Sequence, residues 1–231
     1  MAILTKDDIS HIYNKHVVAN NNPEYLNRYI PLPMERKNRW WEGGDFPRII
    51  AILEFERLVQ KYTIEPEKLL ILNGYGNEPE VQYVEAGYTL EIDYNPSTGE
   101  NDLHTLDLPE KDFDLVLLGQ TLEHLYNPVL ALERLFMHVS PGGYLFASVP
   151  VINIPHTTPF CHYTGFTPTG LGAVCKVAGF DIIHIGQWGN VEYINLLFSN
   201  RWWPDYHLLG DKPNDFETPC STWILAQRPG Y

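Results

Sequence analysis

Cysteine is scarce in this sequence, and its pattern excludes a zinc ribbon or a disulfide framework. The three cysteines, Cys161, Cys175 and Cys220, are far apart and form no CxxC pair. Long apolar runs are also lacking, because no stretch of the chain is long enough to cross a bilayer. Charged residues at positions 6–8 leave no room for the apolar region of a signal peptide. We therefore expect a cytoplasmic protein that does not bind a membrane.

Positive charge is in short supply as well. The 231 residues include 16 Lys and Arg against 29 Asp and Glu, which gives a formal net charge of −13. A field of this sign repels nucleic acid and anionic lipid, and no run of basic residues offsets it. The composition therefore predicts that the protein has no nucleic-acid partner and acts on neither DNA nor RNA.

What is present is an α/β pattern, centred on residues 112–150. Residues 115–118 form an apolar run that predicts a strand buried on both faces. A stretch with apolar residues on one helical stripe follows, from position 122 to position 135. Pro141 and two glycines end that stretch, and residues 144–149 predict a second buried strand. A strand, a helix and a parallel strand make a βαβ unit, which indicates an α/β protein.

The flanking segments extend this pattern in both directions. Before it, the sequence predicts an amphipathic helix at residues 47–62 and two strands at 68–72 and 88–92, which are separated by a glycine turn and a helix at 81–86. After it, the sequence predicts a helix at 169–178, a strand at 180–186, an irregular aromatic stretch at 191–215 and a final strand at 221–227. Residues 1–47 do not resemble a core element. We interpret them as an N-terminal arm, packed on the surface or closing as a lid over the active site.

The sequence FDLV…LEHL…SPGGYLF…VP closely resembles the class I S-adenosylmethionine-dependent methyltransferases, in particular the small-molecule, type 11-like members. The resemblance implies a Rossmann-like, seven-stranded, mostly parallel sheet with helices on both faces and an antiparallel strand 7. It implies a methyltransferase domain at residues 48–231, with an aromatic insertion at about 191–215. It also implies that S-adenosyl-L-methionine is the cofactor and that a small-molecule acceptor is methylated on oxygen or nitrogen.

The cofactor candidates begin with the glycine turn that follows the first strand. Gly74 and Gly76 lie where the backbone must bend sharply and approach a ligand closely. Asp93 ends the second strand, where a carboxylate can accept hydrogen bonds from both ribose hydroxyls. An ordinary turn is the alternative role for this aspartate.

The resemblance supplies further cofactor positions. Tyr75 could cover the cofactor, and Tyr94 would lie against adenine. His104 falls at the position that holds the adenine amino group, with Asp102 as the alternative, and Gln120 falls beside the methionine part. The sequence departs from the family pattern at two points, since Leu72 replaces the usual acid and Glu78 replaces the third glycine.

Histidines near two strand ends are the candidates for catalysis. His156 and His162 follow the fourth strand, and His124 belongs to the LEH triplet after the third strand. One of them could serve as a general base for the acceptor. A structural role is the alternative for each of them. The absence of HxH or HxxxH spacing predicts that they bind no metal.

Aromatic residues outside the βαβ unit are the candidates for the substrate wall. These are Trp40, Trp41, Tyr163 and Trp202, which would suit a flat, apolar or cationic acceptor. The alternative is that they fill a second small core. The sequence leaves open a homodimer contact through the N-terminal arm. It also leaves open a degenerate Rossmann-like binding or scaffold protein, because of Leu72 and Glu78. A nicotinamide-dependent reductase is disfavoured, since the turn contains no GxGxxG.

Overall fold

The computed structural model describes residues 3–37, 39–42, 45–156 and 162–230. In these residues one six-stranded sheet has the strand order β2-β1-β3-β4-β6-β5. The strands are β1 (Lys68–Leu72), β2 (Tyr88–Ile92), β3 (Phe113–Gly119), β4 (Val139–Pro150), β5 (Asp181–Trp188) and β6 (Ser221–Gln227).

Helices cover both faces of this sheet. The α-helices are α1 (Lys6–His11), α2 (Pro23–Leu26), α3 (Phe46–Tyr62), α4 (Pro128–Phe136), α5 (Pro168–Val177), α6 (Val191–Asn200) and α7 (Tyr206–Leu209). A π-helix spans Ile12–Val18, and short 3-10 helices span Met34–Arg36, Arg39–Trp41, Pro79–Tyr83, Leu103–Thr105 and Leu122–His124. No helix among the described residues is both long enough and apolar enough to cross a membrane.

The predicted Rossmann-like α/β fold is confirmed, including the direction of its last strand. Strands β1 to β4 pair in parallel, whereas β6 runs antiparallel between β4 and β5. All six strands that the sequence pattern predicts form, but the described residues contain no seventh strand. The segment between β2 and β3 is a polar turn followed by the 3-10 helix Leu103–Thr105. Strand β2 is therefore the edge of the sheet.

Three predicted elements differ in the structure. The helix expected at residues 81–86 is replaced by the 3-10 helix Pro79–Tyr83, because Val84 already takes extended backbone angles that lead into β2. The stretch at residues 191–215, expected to be irregular, contains α6 and α7. The Asn190 side chain caps α6 by accepting a hydrogen bond from the backbone of Tyr193.

The helix expected at residues 122–135 is also divided in two. Asn127 caps α4 and Pro128 occupies its first turn, so the LEH triplet forms a separate 3-10 helix before α4. Strand β4 begins at Val139, and Pro141 and the following glycines lie inside it. The break places Glu123 and His124 at the carboxyl edge of the sheet rather than on the face of α4.

The hydrophobic core has two parts, one on each face of the sheet, and the N-terminal arm contributes to both. Ile12 and Val17 pack in the part beneath α4 and α5, and Trp41 is fully buried in the part beneath α3. Glu54 of α3 is buried as well, and it accepts hydrogen bonds from Tyr29 at 2.7 Å and Arg28 at 3.0 Å. The arm is therefore packed into the domain.

Candidate active site

A cavity of about 800 Å³ opens at the carboxyl edge of the parallel strands. This is the edge at which open α/β sheets bind their ligands. Its walls come from α3, from the segments that follow β1, β2, β3 and β4, and from residues of the arm and of the 3-10 helix Leu103–Thr105. The lining residues are Trp40, Arg48, Ile52, Asn73, Tyr75, Asn77, Glu78, Pro79, Tyr94, Pro96, Asp102, Leu103, His104, Gly119, Gln120, Thr121, His124, Leu125, Tyr126, His156 and Tyr163.

The glycine turn after β1 forms one wall of the cavity. A Cβ atom at Gly74 would lie 2.8 Å from both the Glu91 carboxylate and the Ile71 side chain, so the position requires glycine. Gly76 has a φ of +69°, which also favours glycine. The glycines themselves do not line the cavity. They shape a turn that presents Tyr75 to it.

Asp93 lies beside this turn at the end of β2. Its carboxylate accepts a hydrogen bond from the backbone N–H of Tyr75 at 2.9 Å, which ties the two strand ends together. The Tyr75 hydroxyl donates to the backbone oxygen of Tyr94 at 3.3 Å. Tyr75 and Tyr94 line the cavity, whereas Asp93 stands just outside its lining.

The structure gives His104 and Asp102 different roles. The Nδ1–H group of His104 donates to Asp102 at 2.6 Å, and its Nε2 accepts from the backbone of Asn127 at 3.3 Å. The imidazole also stacks on Tyr126, with 3.9 Å between the ring centroids. Both ring nitrogens of His104 are therefore engaged within the protein. His104 and Asp102 both line the cavity, and the contact of either with adenine stays a prediction.

Arg48 is a site residue that the sequence analysis missed. It projects from α3 into the cavity and donates to Glu78 at 2.8 Å, to both oxygens of Glu80, and to Ser148 at 2.8 Å. Burial raises the pKa of Glu80 well above its ordinary value, despite the opposing effect of Arg48. The only signal in the sequence is a single arginine within the apolar start of α3.

Gln120 and Gly119 complete the floor of the cavity at the end of β3. The Gln120 side chain donates to the Ser148 hydroxyl at 3.3 Å, and its backbone has a positive φ of 48°. A Cβ atom at Gly119 would lie 2.8 Å from the Glu78 carboxylate and 2.9 Å from the Arg48 guanidinium. The Glu78 side chain thus occupies the space that the missing side chain of Gly119 leaves open. Glu78 is also the residue that replaces the third glycine of the family pattern.

The three candidate histidines lie close together beside the cavity. Their ring centroids are 4.9 Å apart for His124 and His156, 5.3 Å for His124 and His162, and 5.0 Å for His156 and His162. His124 and His156 line the cavity, and His162 packs behind them. One nitrogen from each ring can be chosen so that all three lie within 4.8 Å of one another. The prediction of no metal rested on spacing along the chain, and this cluster satisfies the geometric requirement that the spacing lacked.

The surroundings of the cluster are polar but incompletely paired. The Nδ1 atom of His162 is buried without a hydrogen-bond partner, and burial lowers the pKa of this histidine. Nδ1 of His156 lies 3.0 Å from the backbone oxygen of Ile154, to which it donates. Both carboxylate oxygens of Glu123 are buried and unpartnered, and burial raises the pKa of this group to about 8.

The aromatic candidates separate into two groups. Trp40 and Tyr163 line the cavity, as expected for a substrate wall. The expectation for Trp41 is wrong, because its side chain is fully buried against Tyr206 and faces the core. Trp202 is 64% exposed and stands outside the lining, so it does not form this wall either.

The sheet order, the glycine turn and the ligand-sized cavity at the carboxyl edge define a Rossmann-like enzyme. A family model described as a methyltransferase domain matches residues 76–147. A ubiquinone biosynthesis O-methyltransferase from Hydrogenovibrio crunogenus is 24% identical, over an alignment that covers 72% of this chain and 82% of the relative.

Solved structures share the fold at low sequence identity. The N-methyltransferase NodS from Bradyrhizobium japonicum, with S-adenosylhomocysteine, has a TM-score of 0.53 and 13% identity, over 84% of this chain and 94% of NodS. A Burkholderia thailandensis 1,6-didemethyltoxoflavin N1-methyltransferase has a TM-score of 0.54 and 13% identity, over 99% of this chain and 92% of the enzyme. The [4+2]-cyclase SpnF has a TM-score of 0.53 and 12% identity, over 85% and 86%.

Residues 76–147 therefore match a methyltransferase domain, and the chain is similar to the class I S-adenosylmethionine-dependent methyltransferases. It is an enzyme whose cofactor is S-adenosylmethionine. The glycine turn, the carboxylates beside it and the volume of the cavity fit that cofactor.

Proposed function

We propose that this methyltransferase methylates an oxygen atom of a small-molecule acceptor. The observation that carries the proposal is that a single cavity is lined both by residues of the cofactor type and by two members of a histidine cluster. Methyl transfer needs this arrangement, because donor and acceptor must meet in line and away from water.

Asp93 and Tyr94 are the residues that would hold the adenosine part of the cofactor, with Asp102 toward the adenine amino group. The turn at Gly74 allows the backbone to approach the cofactor closely. At the methionine end, Gln120 and Glu78 present oxygen acceptors that suit an ammonium group. Glu78 would thereby take over the role of the family acid that Leu72 replaces. Arg48 holds Glu78 in place and balances its charge.

The acceptor would lie at the other end of the cavity, against Trp40 and Tyr163. The cofactor supplies an activated methyl group on a positively charged sulfur, so the protein has to position the acceptor and assist the loss of its proton. The cluster of His124, His156 and His162 is placed to provide that assistance, and a neutral imidazole within it can accept a proton directly. Methylation of oxygen is favoured over nitrogen by the similarity to the ubiquinone biosynthesis O-methyltransferase.

A binding protein that has lost methyl transfer is the second candidate, and a specific contact favours it. Asp93 already accepts a hydrogen bond from Tyr75, and the exposed Tyr75 ring spans the end of β2. If this contact persists in solution, it competes with the ribose for the carboxylate. The similarity in fold to SpnF, which is described as a [4+2]-cyclase, supports a role other than methyl transfer for this architecture.

Calorimetric titration with S-adenosylmethionine and S-adenosylhomocysteine tests the proposal. The variant Asp93→Asn keeps an oxygen acceptor for the Tyr75 N–H group but lacks the charge that favours two ribose hydroxyls. We expect binding about 10- to 100-fold weaker, since a hydrogen bond to a charged group contributes about 1.5–3 kcal/mol. Asp211→Asn is the matched control, because the Asp211 side chain is 78% exposed and lies outside the cavity lining.

The outcomes separate the two candidates. Saturable binding of both compounds, weakened by Asp93→Asn and unchanged by Asp211→Asn, supports the enzyme and justifies a screen of phenol and enol acceptors. Equal affinity in the wild type and Asp93→Asn would remove Asp93 from the ribose site. No binding of either compound at millimolar concentration would favour the binding protein.

A further inference from the structure

We propose that His124, His156 and His162 bind a divalent transition-metal ion of the zinc class at the acceptor end of the cavity. The three histidines come from two separate segments of the chain, one after β3 and one after β4. Among the described residues, they are the group whose geometry could hold a metal. The role of the ion in catalysis rests on the proposed function, whereas the binding of the ion does not.

The geometry requires only small side-chain movements. Three nitrogens bound tetrahedrally to one zinc ion at about 2.1 Å lie about 3.4 Å from one another. The nitrogens of the cluster already lie within 4.8 Å of one another. Rotations that move each ring by roughly 1 Å would therefore bring all three into coordinating distance.

The unpartnered nitrogen of His162 is an independent observation that points to a ligand. A buried polar atom without a partner costs about 1–3 kcal/mol, so such atoms are rare unless something binds them. Nδ1 of His162 is buried and has no hydrogen-bond partner among the described residues, and its ring lies edge-on to both other imidazoles, at centroid distances of 5.3 and 5.0 Å. A general base would need only one imidazole, whereas three with nitrogens within 4.8 Å of one another match a ligand set.

Groups around the cluster provide the second shell that metal-binding histidines use. Such histidines usually donate their other ring N–H to a carboxylate or a backbone carbonyl. His156 donates from Nδ1 to the backbone oxygen of Ile154 at 3.0 Å, which directs its Nε2 away from that contact. Nε2 of His124 lies 3.9 Å from the Glu123 carboxylate, whose two buried oxygens accept no hydrogen bond from the described residues. A cation in the cluster would also compensate the burial of this carboxylate.

The ligand set indicates the kind of ion and its use. Three neutral imidazoles favour zinc, cobalt, nickel or ferrous ions, whereas magnesium and calcium prefer oxygen ligands. His124 and His156 line the cavity, so an ion held by them presents its remaining coordination position to the acceptor. A phenol or enol oxygen suits that position. The cation would then replace the histidine base of the proposed function: it would lower the pKa of that hydroxyl, whose proton passes to solvent before the oxygen attacks the methyl carbon.

The test is a metal titration of the full chain, made metal-free with a chelator, in the absence of cofactor and acceptor. Zinc affinity is measured by competition with a chromophoric chelator, and cobalt binding by the visible absorption of a tetrahedral Co²⁺ site. We expect one ion per chain, a zinc Kd below about 1 μM, and at least 100-fold weaker binding in His156→Ala and His162→Ala. His207→Ala is the matched control, because His207 is exposed and lies outside the cluster.

The Glu123→Gln variant tests the site without removing a ligand. It is nearly isosteric, and we expect it to weaken zinc binding by about 10- to 100-fold, as the loss of a group that hydrogen-bonds to a metal ligand usually does.

Circular dichroism establishes that each variant is folded. No zinc or cobalt binding below about 1 mM in the wild type would overturn the proposal, as would equal affinity in the wild type and both histidine variants. Titration with S-adenosylhomocysteine is run in parallel, so a failure of the metal site is distinguished from a failure of the methyltransferase function.

Discussion

Replacement of Arg48 by methionine should destabilise the protein strongly, because it leaves buried acidic side chains without their partner. The Arg48 side chain is 16% exposed, and those of Glu78 and Glu80 are 7% and 0% exposed. Arg48 donates at 2.8 Å to Glu78, at 2.7 Å to Glu80 and at 2.8 Å to Ser148. Water has little access to replace these contacts.

The magnitude follows from the burial of the charges. Removal of one partner from a buried ion pair costs about 3–5 kcal/mol, because the other charge stays buried and unpaired. For a chain of this size, that loss lowers the melting temperature by roughly 10 °C. The double variant Arg48→Met with Glu78→Gln removes the stranded charge as well, so it should recover part of the loss.

Glu80→Gln provides the matched comparison at the same site. Burial raises the pKa of Glu80 well above its ordinary value, because it disfavours the charged form of this carboxyl group. Glutamine closely resembles a protonated glutamate, and we expect this variant to cost less than about 1 kcal/mol.

Urea unfolding at pH 7, followed by tryptophan fluorescence and circular dichroism, measures all four proteins. A loss below about 1 kcal/mol in Arg48→Met would refute the argument that this arginine holds the buried acids. An equal loss in Glu80→Gln and Arg48→Met would show that the charge of Glu80 contributes as much to stability as Arg48 does.

Two further predictions concern the packing of the arm and the buried histidine beside it. Burial lowers the pKa of His184 to about 3 from 6.5, so the unfolded chain binds a proton below pH 6.5 that the folded protein excludes. Stability should therefore fall as the pH falls, and urea unfolding should lose about 2 kcal/mol more between pH 7 and pH 5 in the wild type than in His184→Gln. An identical pH dependence in both proteins would contradict the shift. Deletion of residues 1–37 removes Arg28 from the buried Glu54 and should abolish the cooperative thermal transition of the domain. An unchanged melting temperature would instead show that the arm is a detachable lid.

The sheet could be read from the sequence to a large extent. Apolar runs such as the one in β3 mark buried strands locally, and glycine turns separate them. The order of strands then follows from the resemblance, and its antiparallel last strand is confirmed. The helix at residues 191–200 was not predicted, although Asn190 provides a recognisable cap. Its aromatic residues obscured the helical period.

The site was only partly predictable, because its contacts join residues far apart in the chain. Asp93 and Gln120 stand at strand ends, so a topological rule could locate them. The same rule does not locate Arg48, because this residue reaches the cavity from a helix that precedes β1. Trp40 and Trp41 are adjacent in sequence, yet one lines the cavity and the other is buried in the core.

The sequence by itself determined the α/β class, the strands and the glycine turn, because these depend on the local period of apolar residues and on backbone preferences. Tertiary structure alone decided that His124 meets His156 and His162. The spacing of these histidines along the chain follows no metal-binding pattern, and they converge because parallel strands bring their carboxyl ends to one edge of the sheet.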